Sequence, residues 1–465
     1  MRTQFSPTQL RDADMAQSEK ILRACVHCGF CNATCPTYLI TGDENDGPRG
    51  RIYLMREMLQ GQTAPDARTV AHIDGCLSCL GCATTCPSGV DYMRLVDHAR
   101  AHIATHYRRP FFERVFRGVI GLVLPYPSRF AFAVKLGKLV TPFARLMPER
   151  LARMVVMANQ VAGVTPPPPQ TPSHEGEGLY PRALILPLPL VGRAGVGGDI
   201  KKLRVALLNG CVQPVLAPEI NTATIRLLTQ LGVEIVTPPD TGCCGALSHH
   251  LGKTDAAKHF ARANIAAWMH CARNGGLDAI IITASGCGTQ VKDYAHLLRD
   301  DTLYADDAAH ISAITQDISE FLSGLDLPEP TDIPGVRVAY HAPCSLLHGQ
   351  KLGGGVEALL RKAGFEVALP RDAHLCCGAA GSYTLLQPEM SEHLAQNKAE
   401  NLLALTPDFI ATGNIGCQVQ IAAVTQIPTL HWVQLLEMAY GGHISISASS
   451  GTKGGTLIVP HEQAE

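Results

Sequence analysis

Two stretches near the start of the chain carry one cysteine spacing: Cys25-Val-His-Cys28-Gly-Phe-Cys31-Asn-Ala-Thr-Cys35-Pro36 and Cys76-Leu-Ser-Cys79-Leu-Gly-Cys82-Ala-Thr-Thr-Cys86-Pro87. Both fit C-x2-C-x2-C-x3-C-P without a mismatch, the run that binds [4Fe–4S] cubanes in pairs. Three thiolates on a tight loop can wrap three corners of a cubane, while the fourth, opening a helix behind its proline, points toward the neighbouring cluster. The spacing therefore predicts one cluster on Cys25, Cys28, Cys31 and Cys86 and a second on Cys76, Cys79, Cys82 and Cys35. Gly29 and Gly81 are expected to relieve crowding where the backbone passes the inorganic core. Zinc is the competing chemistry, because paired C-x-x-C spacings also build four-sulfur zinc sites. It leaves the third cysteine and the proline of each run unexplained. Two clusters in one small domain form a wire that electrons enter at one end and leave at the other, so no residue is assigned a catalytic role.

The second half of the chain holds eight more cysteines in two matching sets. The first is Cys211, Cys243-Cys244-Gly245 and Cys287; the second is Cys344, Cys376-Cys377-Gly378 and Cys417. The first leg is 32 positions in both sets, and the second legs are 44 and 41. Such agreement marks an internal duplication. Adjacent cysteines are poorly placed for a mutual disulfide, so each set reads as a metal site with four thiolate ligands.

These ligands need scaffolds. Residues 1–105 show helical patterns around Arg49–Gln60 and Tyr92–His106 and little strand-like alternation, which predicts a small helical domain built around its metal. Residues 106–200 read as a connector. Between Arg108 and Arg153 there are ten Lys/Arg against Glu113 and Glu149, in helices broken at Pro125, Pro127, Pro142 and Pro148, before a Pro/Gly-rich linker that includes TPPPPQ at 165–170. The repeats occupy 201–328 and 335–440, with a flexible tail over 441–465. Each repeat opens with a β-branched-rich run before its first cysteine (LRVALLNGC; VRVAYHAPC), then a helical pattern (Asn221–Leu231; Gly355–Ala363), then a short strand (VEIVTPP; FEVALP) before the CCG. Strand, helix, strand, helix predicts an α/β unit with a parallel sheet and its cysteines at the carboxyl ends of strands. The expected fold is thus α+β overall, with an α-helical two-cluster domain, a helical connector and two α/β CCG domains.

With 39 Lys+Arg against 41 Asp+Glu the net charge is -2, which gives no electrostatic basis for a nucleic-acid partner. Seventeen cysteines in a long chain whose first residues, MRTQFSPTQLRDADMAQSEK, lack an apolar signal-peptide core are expected to be reduced ligands in the cytoplasm. No uninterrupted apolar run reaches about 18 residues, so no membrane crossing is expected. The basic amphipathic connector is instead expected to rest on the inner face of the cytoplasmic membrane, with packing on a partner or a plain helical link as the alternatives. No G-x-G-x-x-G follows a strand, so no flavin is expected in this chain.

Both repeats resemble the cysteine-rich CCG domain shared by heterodisulfide reductase subunits, anaerobic glycerol-3-phosphate dehydrogenase subunits and lactate-utilisation proteins. In heterodisulfide reductase that unit binds a non-cubane cluster using a further cysteine in a terminal C-x-x-C. The corresponding positions here are Ala284 and Asn414. Four thiolates per copy remain, enough for a cubane or another cluster, or for zinc. The motif order ILRACVHCGFCNATCPTY, GDENDGPRGRIYLMR, CATTCPSGV, TGCCGA, TASGCGTQVKDY, HLCCGAAGSY and NIGCQVQ is similar to that of the glycolate oxidase iron–sulfur subunit family. The resemblance implies an electron-transfer subunit that takes electrons from a flavin-containing partner oxidising glycolate, or another 2-hydroxy acid, and passes them toward the respiratory chain and quinone. A catalytic CCG subunit of the heterodisulfide- or quinone-reductase type is the alternative, which the missing cysteines disfavour.

Five further residues need a reading. His341 and His348 flank Cys344 as metal ligands, proton carriers or structural residues. Arg49 and Arg51 either neutralise cluster charge, hold a partner carboxylate or begin a solvated helix. Cys271, on a helical pattern outside the matched sets, reads as a buried free thiol.

Overall fold

The computed structural model describes residues 1–61, 64–140, 202–331, 333 and 335–441. The proline-rich linker, the breaks at Pro142 and Pro148 and all but the first residue of the tail lie outside these. The N-terminal unit is helical: α1 (Ala13–Ala24), α2 (Pro36–Thr41), α3 (Pro48–Gln60), α4 (Ala67–Asp74), α5 (Gly81–Thr85) and α6 (Tyr92–His106). Their starts are set locally. The side chains of Asp12, Asp66 and Asp91 accept backbone N–H groups at the first turns of α1, α4 and α6, and Pro36 and Pro48 open α2 and α3, where no N–H is needed. The apolar faces converge on Leu22, Met55, Leu59, Ile73, Leu95 and Ile103, all fully buried.

Two connector helices follow, α7 (Phe111–Val123) and α8 (Pro127–Val140). Not all the basic residues of this segment face solvent. Arg109 and Arg117 reach back to Asp74 at the end of α4, at 2.5 and 2.7 Å, and both pair with Glu113. This clamp leaves Phe111, Phe112, Val115, Val119 and Leu122 of α7 and Phe132, Leu136 and Leu139 of α8 exposed. Among the described residues no single helix is long and apolar enough to cross a membrane; the pair Phe111–Val123 and Pro127–Leu139 passes that test only jointly and is bent by 117°.

The two repeats have the same topology. The strands β1 (Arg204–Leu207), β2 (Glu234–Val236), β3 (Ala279–Ile282) and β4 (Thr315–Asp317) form a parallel sheet in the order β2-β1-β3-β4. The strands β5 (Arg337–His341), β6 (Glu366–Ala368), β7 (Phe409–Thr412) and β8 (Thr429–His431) repeat it as β6-β5-β7-β8. The sequence marks two strands per copy and the sheet has four: β3 and β7 are buried at every position and show no alternation, and β4 and β8 are only 3 residues long. The copies share one core, in which Val205, Leu207, Ile281 and Leu322 of the first meet Val338, Tyr340, Leu360 and Trp432 of the second. Each such side chain contributes about 1.5–3 kcal/mol by its burial. In both sheets the strand order reverses beside the first strand. The crevice for ligands therefore opens at the carboxyl ends of β1 and β3, and of β5 and β7.

Candidate metal centres

In the N-terminal unit the two cysteine runs turn through left-handed backbone at equivalent positions: His27 (φ 59°) and Gly29 (φ 85°) in the first, Ser78 (φ 52°) and Leu80 (φ 62°) in the second. Non-glycine residues there cost about 1–3 kcal/mol each and persist where the surroundings impose them. The glycine expectation needs correction. Gly29 takes this conformation and lies against Arg49, whereas in the second run Leu80 takes it, and a Cβ on Gly81 would face Thr34 and His348 rather than the cavity. Cys35 precedes the helix opened by Pro36, as expected, but Cys86 is followed by a turn, with α6 beginning only at Tyr92.

Cys25, Cys28, Cys31 and Cys86 line one cavity; Cys35, Cys76, Cys79 and Cys82 line a second; Cys82, Pro48 and Tyr92 border both. Burial pushes the Cys31 thiol up to about 11 and those of Cys79 and Cys82 well above their usual range. Such groups ionise together only where a cation replaces their protons. The second cavity also has fixed charge and donors beside it. Arg51 is 2% exposed, and its guanidinium donates to Thr37 Oγ1 (3.0 Å) and the His72 carbonyl (2.7 Å) and lies 3.9 Å from Cys35 Sγ. Burial alone would lower its pKa, but Cys76, Tyr92, Cys35 and Asp46 raise it above the ordinary arginine value. Tyr92 donates its hydroxyl to Cys76 Sγ (3.7 Å), and Arg100 donates to the Cys76 carbonyl (2.6 Å). Arg49 instead forms a half-exposed pair with Glu44 (2.6 Å). Tyr92 and Arg100 carry no motif signal; only the burial of α6 against the second run identifies them.

The CCG sites sit in the crevices described above. Cys211, Cys243, Cys244 and Cys287 are linked thiol to thiol, as are Cys344, Cys376, Cys377 and Cys417, with 3.7 Å between Cys344 and Cys376. None of the seventeen cysteines is joined in a disulfide. The glycine of each CCG has a physical reason. Gly245 (φ 87°) and Gly378 (φ 89°) each donate their N–H to the first sulfur of the pair, at 3.4 Å in both copies. A Cβ there would come within 3.0 Å of the Ala257 carbonyl or 2.6 Å of the Ser391 carbonyl. Hydrogen bonds from Cys211 and Cys244 hold the Cys243 thiol down at about 4, while that sharing, with burial, raises Cys211 and Cys244. In the second site the hydrogen bond to Cys376 and burial raise Cys344; Cys376 and Cys377 are each pulled down by the bond from the preceding thiol of the series, but the bond to the next thiol together with burial outweighs it and leaves both well above the usual range. Clustered soft donors of this kind suit iron–sulfur chemistry or zinc.

The N-terminal unit lies across both repeats. Arg94 forms a two-pronged pair with Asp293, His250 meets Asp97 at 3.4 Å, and Tyr383 donates its hydroxyl to the Gly75 carbonyl (3.1 Å). Cys79, from the second cavity, packs with Leu77, Tyr383, Leu394, Cys344 and Cys376 in one apolar cluster, so the second cavity abuts the second CCG site. His348 bridges Thr84 Oγ1 (2.8 Å) and the His374 carbonyl (2.9 Å), a structural link between the units. Cys271 stands on the helix Thr254–Arg273, partly exposed and apart from both sites.

Comparison with known proteins sharpens this picture. Residues 21–90 match the 4Fe-4S dicluster domain, and residues 205–292 and 338–422 each match the cysteine-rich CCG domain. Over 439 residues the chain is 39% identical to the glycolate oxidase iron-sulfur subunit of Escherichia coli (strain K12), covering 94% of this chain and 99% of the relative. This chain belongs to the glycolate oxidase iron–sulfur subunit family. A probable glycolate oxidase iron-sulfur subunit of Bacillus subtilis (strain 168) is 33% identical over 414 residues, 85% of this chain and 87% of that one. A hypothetical protein from Helicobacter pylori, 11% identical, matches 93% of this chain and 73% of its own with a TM-score of 0.52, which shows a shared fold alone. As a member of the glycolate oxidase iron–sulfur subunit family, the chain is an iron–sulfur protein of an oxidoreductase. The eight thiols of its dicluster domain fit two [4Fe–4S] clusters.

Proposed function

We propose that this chain relays electrons from a flavin-containing partner, which oxidises glycolate to glyoxylate with release of two electrons and two protons, toward quinone in the respiratory chain. One cluster is held by Cys25, Cys28, Cys31 and Cys86, the next by Cys76, Cys79, Cys82 and Cys35, and the CCG cysteines hold metal beyond them. The reading rests on one observation: Cys79 packs against Cys344 and Cys376, so the thiols form an unbroken series from the first cavity to the second CCG site. Electrons enter at the first cluster, where Cys28 is exposed and Val26 and Phe30 face solvent for a partner to cover. The exposed apolar side chains of α7 and α8, with Arg114, Arg129, Lys135 and Lys138 among them, rest on anionic lipid, each basic residue contributing about 1 kcal/mol.

The test is anaerobic purification of the full chain with iron, sulfide and zinc counts and EPR of the reduced protein. Two cubane signals are expected, with no glycolate oxidation by the chain alone and reduction of its clusters once the partner and glycolate are supplied. A colourless chain without iron, or glycolate turnover without the partner, defeats the proposal. Cosedimentation with anionic but not neutral vesicles checks the membrane contact.

A further inference from the structure

The two CCG sites share a scaffold but not a donor set. Three positions before Cys344, at the carboxyl end of β5, stands His341; three positions before Cys211 stands Leu208. Two before Asn414 is Thr412, and two before Ala284 is Ile282. The first copy thus fills these positions with buried aliphatic side chains, and the second with two polar groups paired across β5 and β7. Packing accepts leucine here, so packing does not explain the histidine. The imidazole of His341 is 0% exposed, and neither Nδ1 nor Nε2 has a hydrogen-bond partner; Thr412 Oγ1 is orphaned beside it. Leaving a buried polar group unsatisfied costs about 1–3 kcal/mol, so something absent from the polypeptide is expected to satisfy it.

The ligand atoms of His341, Cys377 and Cys417 all lie within 4.8 Å of one another. Ligands about 2.0–2.3 Å from one tetrahedral metal stand about 3.3–3.8 Å apart, and Cys377 and Cys417 are already in thiol contact, so a shift of at most about 1.5 Å brings all three atoms onto one ion. Asn414, at the position where a further thiolate is missing, is otherwise engaged: its Nδ2 donates to Cys417 Sγ (3.6 Å), and its Oδ1 accepts from the Gly286 N–H (3.4 Å).

We propose that His341 is a nitrogen ligand to the metal centre of the second CCG site, which makes that site mixed imidazole–thiolate while the first is all thiolate. The inference rests on the reading above that the CCG cysteines hold metal. A neutral imidazole adds a ligand without adding negative charge, and imidazole in place of thiolate raises the potential of iron–sulfur centres. The second site, which abuts the second cubane, then favours the electron more than an all-sulfur site on the same scaffold.

The test compares full-length, anaerobically purified wild type carrying isotope-labelled histidine with His341→Leu, His341→Cys and Cys377→Ser, by metal and sulfide counts and pulsed EPR. A histidine-nitrogen coupling that vanishes in His341→Leu supports the assignment. If the centre is diamagnetic, His341→Leu loses as much metal as Cys377→Ser while His341→Cys keeps it. Wild-type metal content in His341→Leu with no nitrogen coupling in the wild type overturns it, as does a coupling that survives in His341→Leu. Signals of the two N-terminal cubanes report folding, and the wild-type coupling decides the matter if a variant collapses. Unchanged metal in Cys377→Ser is a separate failure: it removes metal from the site and defeats the parent reading as well.

Discussion

Replacing Arg51 by glutamine should lower the reduction potential of the second N-terminal cluster by about 100–180 mV. The guanidinium is buried and 3.9 Å from Cys35 Sγ, so it acts on the cluster through protein rather than through water. At an effective dielectric of about 20, unit charges about 4 Å apart interact by about 4 kcal/mol, and charges about 7 Å apart, the range of an electron spread over the far irons, by about 2.4 kcal/mol. For a one-electron couple a tenfold change is about 59 mV, which converts this range to the stated shift. The sign follows because the reduced cluster is the more negative state, and removing a nearby positive charge destabilises it. Arg51→Lys keeps the charge and should retain most of the potential. Arg49→Gln removes a half-exposed charge already paired with Glu44 and should move the first cluster far less. The assay is an EPR-monitored redox titration of the full chain. If Arg51→Gln keeps both clusters and leaves both potentials unmoved, the second cluster is not where the thiols around Arg51 place it.

Other consequences follow from the packing. Ile281→Ala, at a fully buried position of β3 in the core common to both repeats, should cost about 2–5 kcal/mol in an anaerobic denaturant titration. His431, fully buried, accepts the Val433 N–H at Nδ1 (3.1 Å) and donates from Nε2 to the Thr283 carbonyl (2.8 Å); burial holds its pKa down at about 4. The unfolded chain takes up this proton near pH 6.5 and the folded one only near 4, so stability is complete above about 6.5 and declines below it, by about 2 kcal/mol at pH 5. His431→Asn should flatten that decline in denaturation midpoints measured at pH 8 and 5. Arg94→Ala strands Asp293, which is 11% exposed, and should weaken docking of the N-terminal unit by about 2 kcal/mol, between the surface and buried limits for ion pairs. Faster hydrogen exchange in α6 would show it; unchanged exchange would mean the pair does not hold the interface.

Legibility in the sequence followed the range of the forces involved. The helices around Arg49–Gln60 and Tyr92–His106 were readable because Pro48 and Asp91 set their starts within one turn. The duplication was readable because each CCG glycine is fixed by its own loop geometry. By contrast β3 and β7, AIII and FIAT, are too short and too uniformly buried to show a period. Arg49 and Arg51 stand two positions apart on α3, yet one is half exposed and the other sealed against thiols, a difference made by α4 and α6 packing over one face only. His341 and His348 looked alike beside Cys344; one lies sealed among sulfurs and the other ties two units together.

The sequence by itself determined how many cysteines there are and that they recur in two matching pairs of motifs, because a motif is written in the spacing of neighbouring residues. Only the tertiary structure decided which groups meet: that the second cavity abuts the second CCG site, and that a histidine closes in on Cys377 and Cys417. Those proximities arise from helices and sheets packed across hundreds of residues, and spacing along the chain carries no record of them.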